Sequence, residues 1–264
     1  MINQVHPYKI SQVFEIDSKI IYKIPKYQRE YTWGVNEWNQ LFDDIISNEE
    51  GYFVGSYICV SSKTMGTPEL ELIDGQQRFT TISILLAAIY SKLNKEKEKL
   101  DEEEKSTLIN IKKSLTYNAE KGVYKPKLLL QVQNSNLDDY LSLLYENEII
   151  SDKIKKPNNA GNRRIYKAFK YFNKCIDEYI NENIDGNNSE ISLLIDLKDK
   201  FNGAIIVGIE VDSHKDAYML FESLNNRGIP LSAVDLIKNT LIAASESNNK
   251  SDEYYEEWKI ALEY

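Results

Sequence analysis

The stretch Leu72-Ile-Asp-Gly-Gln-Gln-Arg-Phe-Thr-Thr81 decides how the rest of the chain is read. An apolar strand end, a sharp glycine turn and a helix start place Asp74, Gln76, Gln77 and Arg78 together at a helix N-terminus. The first-turn N–H groups of a helix have no partner inside it, and the macrodipole adds partial positive charge there. Such an end favours an anion by about 0.3–1 kcal/mol per charge, and up to about 2 kcal/mol when partly buried. Arg78 in the first turn opposes that dipole, so the helix gains nothing from it; a bound anion such as phosphate explains it. Asp74 either caps the helix or holds Mg²⁺ beside the phosphate. Capping explains Asp74 alone, and not the two amides and the arginine next to it.

Residues 69–73 are the strand that feeds this turn. Residues 52–61, rich in β-branched and aromatic side chains, are its partner across a turn at 64–68, so the two predict a hairpin. Residues 20–24 form another short strand, stopped by Pro25. There follows Pro25-Lys-Tyr-Gln-Arg-Glu-Tyr-Thr-Trp33, an irregular segment dense in aromatics and amides. Pro25 holds the chain extended, so Gln28 and Arg29 project from a rigid strand end. Tyr27, Tyr31 and Trp33 either pack beneath the segment or offer a ring to a base; packing is favoured for Trp33, and both readings stay open for Tyr31. Asn36 is positioned to cap a helix reaching about residue 47, with Trp38, Leu41, Phe42 and Ile45 on one face.

Downstream, residues 77–93 predict a strongly apolar helix, and the charged stretch 94–105 a solvated helix end and loop. A strand candidate at 127–133 is followed by helices at 137–145, 163–181 and 189–201, then by a buried strand at 203–211. A helix at 215–224 leads into the turn Asn225-Asn-Arg-Gly228 and a further helix at 232–245. Gly228 suits a left-handed C-cap, and Ser232 with Asp235 resembles a capping box. Asn225, Arg227 and Lys238 are less readily explained by capping. The order predicts an α/β chain of the α+β kind, with a small mixed sheet, flanking helices and a mostly helical insertion. Residues 1–95 are the first part of the core, 96–200 the insertion, and 201–245 the part that rejoins the early sheet. The aromatic amphipathic segment 252–264 carries no stop signal, so 246–264 reads as the start of a further helical region.

Composition bounds the possibilities. The chain has 264 residues, 42% hydrophobic and 11% aromatic, with 11 Gly and 6 Pro. That excludes a disordered or collagen-like chain and suffices for a buried core. The longest apolar stretch, residues 82–90, is about half the ~20 residues a membrane span needs. No charged-then-apolar leader opens the sequence, and Cys59 and Cys175 lie apart in apolar runs, so a reduced, cytoplasmic setting is expected. Lys and Arg number 32 against 41 Asp and Glu, a net charge of −9. Coating nucleic acid by bulk electrostatics is excluded, whereas a local basic site is not. The only arginines are Arg29, Arg78, Arg163, Arg164 and Arg227, and three of the five sit in the polar clusters above.

Taken together, Ile-Pro-x-Tyr-Gln-Arg-x-Tyr-x-Trp at 24–33, Asp-Gly-Gln-Gln-Arg at 74–78 and Leu-Asn-x-x-Gly-x-x-Leu-x-x-x-Asp-Leu-Ile-Lys-Asn at 224–239 resemble a known family. It is the ParB/sulfiredoxin-like N-terminal domain of GmrSD type IV restriction enzymes and related phage-defence proteins, and the resemblance covers about residues 10–245. It implies a ParB-like core that binds and hydrolyses a nucleoside triphosphate (NTP) with Mg²⁺, coupled to cleavage of modified foreign DNA. On that basis Asp74, Gly75, Gln76, Gln77 and Arg78 occupy the central motif. Gln28 and Arg29 occupy the first, and Asn225, Gly228, Asp235 and Lys238 the third; Tyr31 and Arg227 are added as candidate nucleotide-binding residues. The family's nuclease is a C-terminal His-Asn-His domain or a partner subunit. His6 and His214, the only histidines, do not make such a centre, so it is expected outside this sequence.

Two functional classes follow. In the first, Arg78 and the helix start hold phosphates, Asp74 holds Mg²⁺, Arg29 or Arg227 neutralises developing charge, and Gln76 or Gln77 orients water. No Gly-x-x-x-x-Gly-Lys-Ser/Thr run is present, so the cradle is not a P-loop. In the second, the same residues read modified DNA without catalysis and regulate a partner nuclease. A scaffold lacking both activities is disfavoured by the intact motifs.

Overall fold

The computed structural model describes residues 2–61, 68–131 and 135–225. Its framework is a six-stranded mixed sheet in the order β1-β8-β3-β4-β2-β7. The strands are β1 (Ile2–Lys9), β2 (Ile21–Lys23), β3 (Phe53–Ser61), β4 (Glu69–Asp74), β7 (Leu128–Leu129) and β8 (Ile205–Val211). A separate hairpin joins β5 (Thr116–Glu120) to β6 (Val123–Pro126). β3 and β4 pair antiparallel, with Ile58 opposite Asp74, whereas β2 runs parallel to both β4 and β7. β8 arrives late in the chain yet lies inside the sheet. It is parallel to β3, with Ile205 opposite Phe53, and antiparallel to β1, with Ile205 opposite Lys9.

Strand alternation sends side chains to two apolar layers. Tyr57, Cys59 and Leu72 join the large core around α3 (Gln76–Lys95), while Ile58, Val60 and Ile73 pack with Ile209, Val211 and Tyr218 on the opposite face. That second layer is closed by α8 (His214–Asn225). The other helices are α1 (Ile10–Val13), α2 (Val35–Ser47), α4 (Glu102–Leu115), α5 (Asn136–Glu146), α6 (Arg164–Asn183) and α7 (Glu190–Gly203). From Phe79 to Leu93 every α3 side chain is buried, because the helix is surrounded by the sheet on one side and α4, α6 and α7 on the other. A helix apolar around its whole circumference is stable only when so enclosed.

Several elements differ from the sequence expectation. Residues 94–105 were expected to be a helix end and loop, but α4 begins at Glu102. Asp101 caps it, its Oδ1 accepting from the Glu103 and Glu104 N–H groups at 2.9 and 2.8 Å, and the acidic first turn suits the dipole. α2 is capped by Gly34 and not Asn36, with the Glu37 carboxylate accepting the Gly34 N–H at 2.8 Å. Among its described residues, 127–131, the strand candidate at 127–133 contracts to Leu128–Leu129, and the Lys127 side chain turns inward to donate to the Glu15 carbonyl. The turn at 64–67, Arg227, Gly228, Ser232, Asp235, Lys238 and the helices expected at 232–245 and 252–264 lie outside the described residues. No described helix is long and apolar enough to cross a membrane.

Candidate functional site

The parallel pair β2 and β4 end on the same side of the sheet, and the polar clusters gather there. Ligands of open α/β sheets bind outside the carboxyl ends of such strands, where loops leave the sheet. Gly75 makes the turn from β4 into α3 with φ +87°, and its Cα side faces Tyr57 so closely that a Cβ would fall 2.7 Å from the Tyr57 Cβ. Glycine is therefore required by both backbone and neighbour. Gly75 itself is the N-cap of α3, so no side chain caps that helix. Asp74 stands before the cap, and its carboxylate takes the Gly75 N–H. Asp74 is thus not the cap residue considered for it; the cap position belongs to Gly75.

Arg78 is held by backbone. Its Nη1 donates to the Ser56 carbonyl at 2.9 Å, its guanidinium lies over Gly55, and its Cζ is 5.9 Å from the centre of the Trp33 ring. Burial lowers the Arg78 pKa, with Asp74 acting the other way. Burial also pushes the Asp74 carboxyl up, offset by the Gly75 N–H and then by Arg78 and Arg29. Each charge therefore loses more hydration than the other returns. Arg29 is exposed beside them, so its charge reaches Asp74 while its donors face solvent.

The two glutamines have different roles. Gln77 Oε1 accepts the N–H groups of Thr32 and Trp33 at 2.8 and 3.2 Å, and its Nε2 donates to the Glu30 carbonyl at 2.9 Å. Its amide is spent on holding the 30–33 segment against α3. Gln76 Nε2 donates to Gln28 Oε1 at 3.1 Å, and Gln28 Nε2 donates to the Ile73 carbonyl at 2.9 Å. This relay joins the first and central motifs and ties the Gln76 amide, through Gln28, to the end of β4.

Tyr31 is corrected from a site aromatic to a core residue. It is 4% exposed, and its hydroxyl is shared by Thr81 Oγ1 at 2.7 Å and the Trp38 indole N–H at 2.6 Å. No face of the ring is available to a base. Trp33, for which packing was favoured, does pack against the large core; it is half-buried and also stands beside Arg78. Gly55 and Ser56 were missed, although a glycine inside a strand pattern signals close approach of another group.

From the third cluster only Asn225 falls within a described element, at the end of α8. His214 Nε2 lies 2.6 Å from Glu71 Oε2, and Tyr218 packs on Tyr27 at 6.0 Å between ring centres. α8 therefore starts beside the middle of β4 and proceeds toward the end of the sheet that carries Asp74. Among the described residues, no group of three or more His, Cys, Asp or Glu is arranged to hold a metal ion.

The fold and site define a mixed α/β domain that gathers two arginines, an aspartate and a glutamine relay at the carboxyl ends of parallel strands. The chain belongs to the GmrSD family: the N-terminal domain of the GmrSD restriction endonuclease matches residues 10–242. Comparison with curated proteins gives no match. Membership places the chain in restriction and phage defence, with DNA as the macromolecule such enzymes act upon.

Proposed function

We propose that this domain binds and hydrolyses a nucleoside triphosphate and couples that turnover to recognition of modified DNA by a nuclease domain or subunit. The observation that carries the reading is Arg78, fixed by Gly55, Ser56 and Trp33 at the start of α3, where its charge is felt by Asp74. Phosphate oxygens at that helix start meet backbone N–H groups and the guanidinium together. Exposed Arg29 is free to swing onto charge that develops on the transferred group. The Gln76 amide, steadied by Gln28, orients the attacking water, while Gln77 acts through the backbone it clamps. Asp74 is the residue that would hold Mg²⁺, since Mg²⁺ commonly uses one or two carboxylates with substrate phosphates and water. Bound there, the ion would neutralise phosphate charge. Asn225, Arg227, Asp235 and Lys238 are proposed to complete the nucleotide side of the site.

A second reading, a non-catalytic sensor of modified DNA, is favoured by Trp33, whose half-exposed ring beside Arg78 offers a stacking platform. Phosphate release from several nucleotides, with and without modified DNA, separates the two. The nucleotide site is tested by calorimetric titration of Arg78→Ala. Binding should be lost while the melting temperature stays near that of the wild type; unchanged affinity refutes the assignment.

A further inference from the structure

Beside the 30–38 segment runs a groove of about 780 Å³ between α2 and α6. One wall is basic: Arg164, Lys167, Lys170 and Lys174 follow one another at helical spacing along α6 and all line the groove. The other wall is formed by the start of α2, with Val35 57% exposed and Trp38 beneath it. The two acids in the lining do not cancel this charge. Asp139 is held by the Arg163 fork, at 2.6 Å from Nε and 2.5 Å from Nη2, and Glu30 stands alone against the remaining four cations. All four are exposed, and only Lys174 has an ion pair among the described residues, with Glu178 at 3.1 Å.

The charge order of α6 has no explanation within the helix. Its first turn carries no acid and its last turn no base; instead Arg164 and Lys167 stand at the positive end of the dipole and Glu182 near the negative end. That order costs the helix a few tenths of a kcal/mol per charge. In a chain of net charge −9, a one-sided row of lysines along a groove is a local positive field. The row also touches the candidate site, because Arg164 Nη1 reaches the Trp33 carbonyl at 3.4 Å and Trp33 lies over Arg78.

We propose that this groove seats the sugar–phosphate backbone of duplex DNA, a deepening that rests on the reading of the domain as a DNA-directed nucleotide hydrolase. From Arg164 to Lys174 the helix rises about 15 Å, equal along a duplex axis to the rise of about four base pairs. Contacts of this kind position the duplex without reading its sequence. Arg164 then links an occupied groove to Trp33 and the clamp formed by Gln77.

The test is fluorescence anisotropy of a labelled duplex at several salt concentrations, with the triple variant Lys167→Glu/Lys170→Glu/Lys174→Glu. A control of equal charge change, Lys97→Glu/Lys121→Glu/Lys153→Glu, alters exposed lysines elsewhere. The groove variant should bind at least tenfold more weakly, with the slope of log K against log salt reduced by about 2–3. The control should lose clearly less of both. Equal losses in the two variants, unchanged binding by the groove variant, or no binding by the wild type at low salt would each overturn the proposal. Nucleotide turnover without DNA, measured in parallel, reads the Arg78 site. If it is absent while the groove result holds, the hydrolase reading fails and the groove stands as a surface of a DNA sensor.

Discussion

Gly55 and Arg78 fit together as a socket and its occupant: a Cβ on Gly55 would lie 2.5 Å from Arg78 Cζ and under 3 Å from both terminal nitrogens. The glycine is also at φ +122°, so strand β3 is opened there by a residue with no side chain and an unusual backbone. Gly55→Ala is expected to displace the guanidinium and strain the strand. Nucleotide affinity should fall at least tenfold, with a stability loss on the order of 1–2 kcal/mol. Affinity equal to that of the wild type in a titration would show that the position of Arg78 does not matter.

Gly75→Ala is expected to be costlier to the fold. Its Cβ would meet the Tyr57 Cβ and Cα, which cannot turn aside as the end of an arginine can, and φ is again positive. A loss on the order of 2–4 kcal/mol is expected in chemical denaturation. A loss equal to or smaller than that of Gly55→Ala would contradict this ordering.

Gln76 and Gln77 should separate chemistry from architecture. Gln77→Ala strands two N–H groups and one carbonyl of the 30–33 segment, a cost on the order of 2–4 kcal/mol and a visibly lowered melting temperature. Gln76→Ala removes one side-chain bond to Gln28, a cost of about 1 kcal/mol, and should reduce phosphate release far more than stability. If Gln77→Ala melts with the wild type, the clamp is not what that side chain provides.

Lys127 supplies a pH dependence. It is 1% exposed, and burial brings its ammonium from the ordinary 10.5 down to about 8, despite Glu15 and Asp17 nearby. Between those values the unfolded chain binds the extra proton, so this residue makes stability rise with pH. The cost is present in full below about 8 and is on the order of 3 kcal/mol. Above about 10 the buried Tyr22, Tyr31 and Tyr140 act oppositely, since burial raises their hydroxyls and the unfolded chain ionises first. Lys127→Met should therefore be more stable at pH 7 and show a flatter profile between pH 8 and 10. A parallel rise in both proteins would assign the dependence elsewhere.

Much of this architecture was legible because it rests on local signals. The apolar run after Asp74-Gly-Gln-Gln-Arg78 specified a buried helix, and the β-branched run at 203–211 specified a buried strand. β1 was illegible for the opposite reason: it is an edge strand, exposed along nearly all its length, so no apolar period marks it. At the site, residue types were readable but their allegiances were not. Gln77 and Tyr31 are polar-capable residues in a functional motif, and only coordinates reveal that the backbone of 30–33 and the Thr81–Trp38 pair have claimed them. The α6 row escaped notice because lysines on an amphipathic helix ordinarily mark its solvated face.

The position of β8 has a consequence for biosynthesis. Until the ribosome has delivered Val211, the facing edges of β1 and β3 have no partner, and two hydrophobic layers stay open to solvent. From the synthesis of β3 until that of β8, about 150 residues later, the nascent chain must therefore carry an unfinished, adhesive sheet, the period in which chaperone cover or slow elongation governs yield. Circularly permuting the gene so that β8 is translated beside β3 would shorten that exposure.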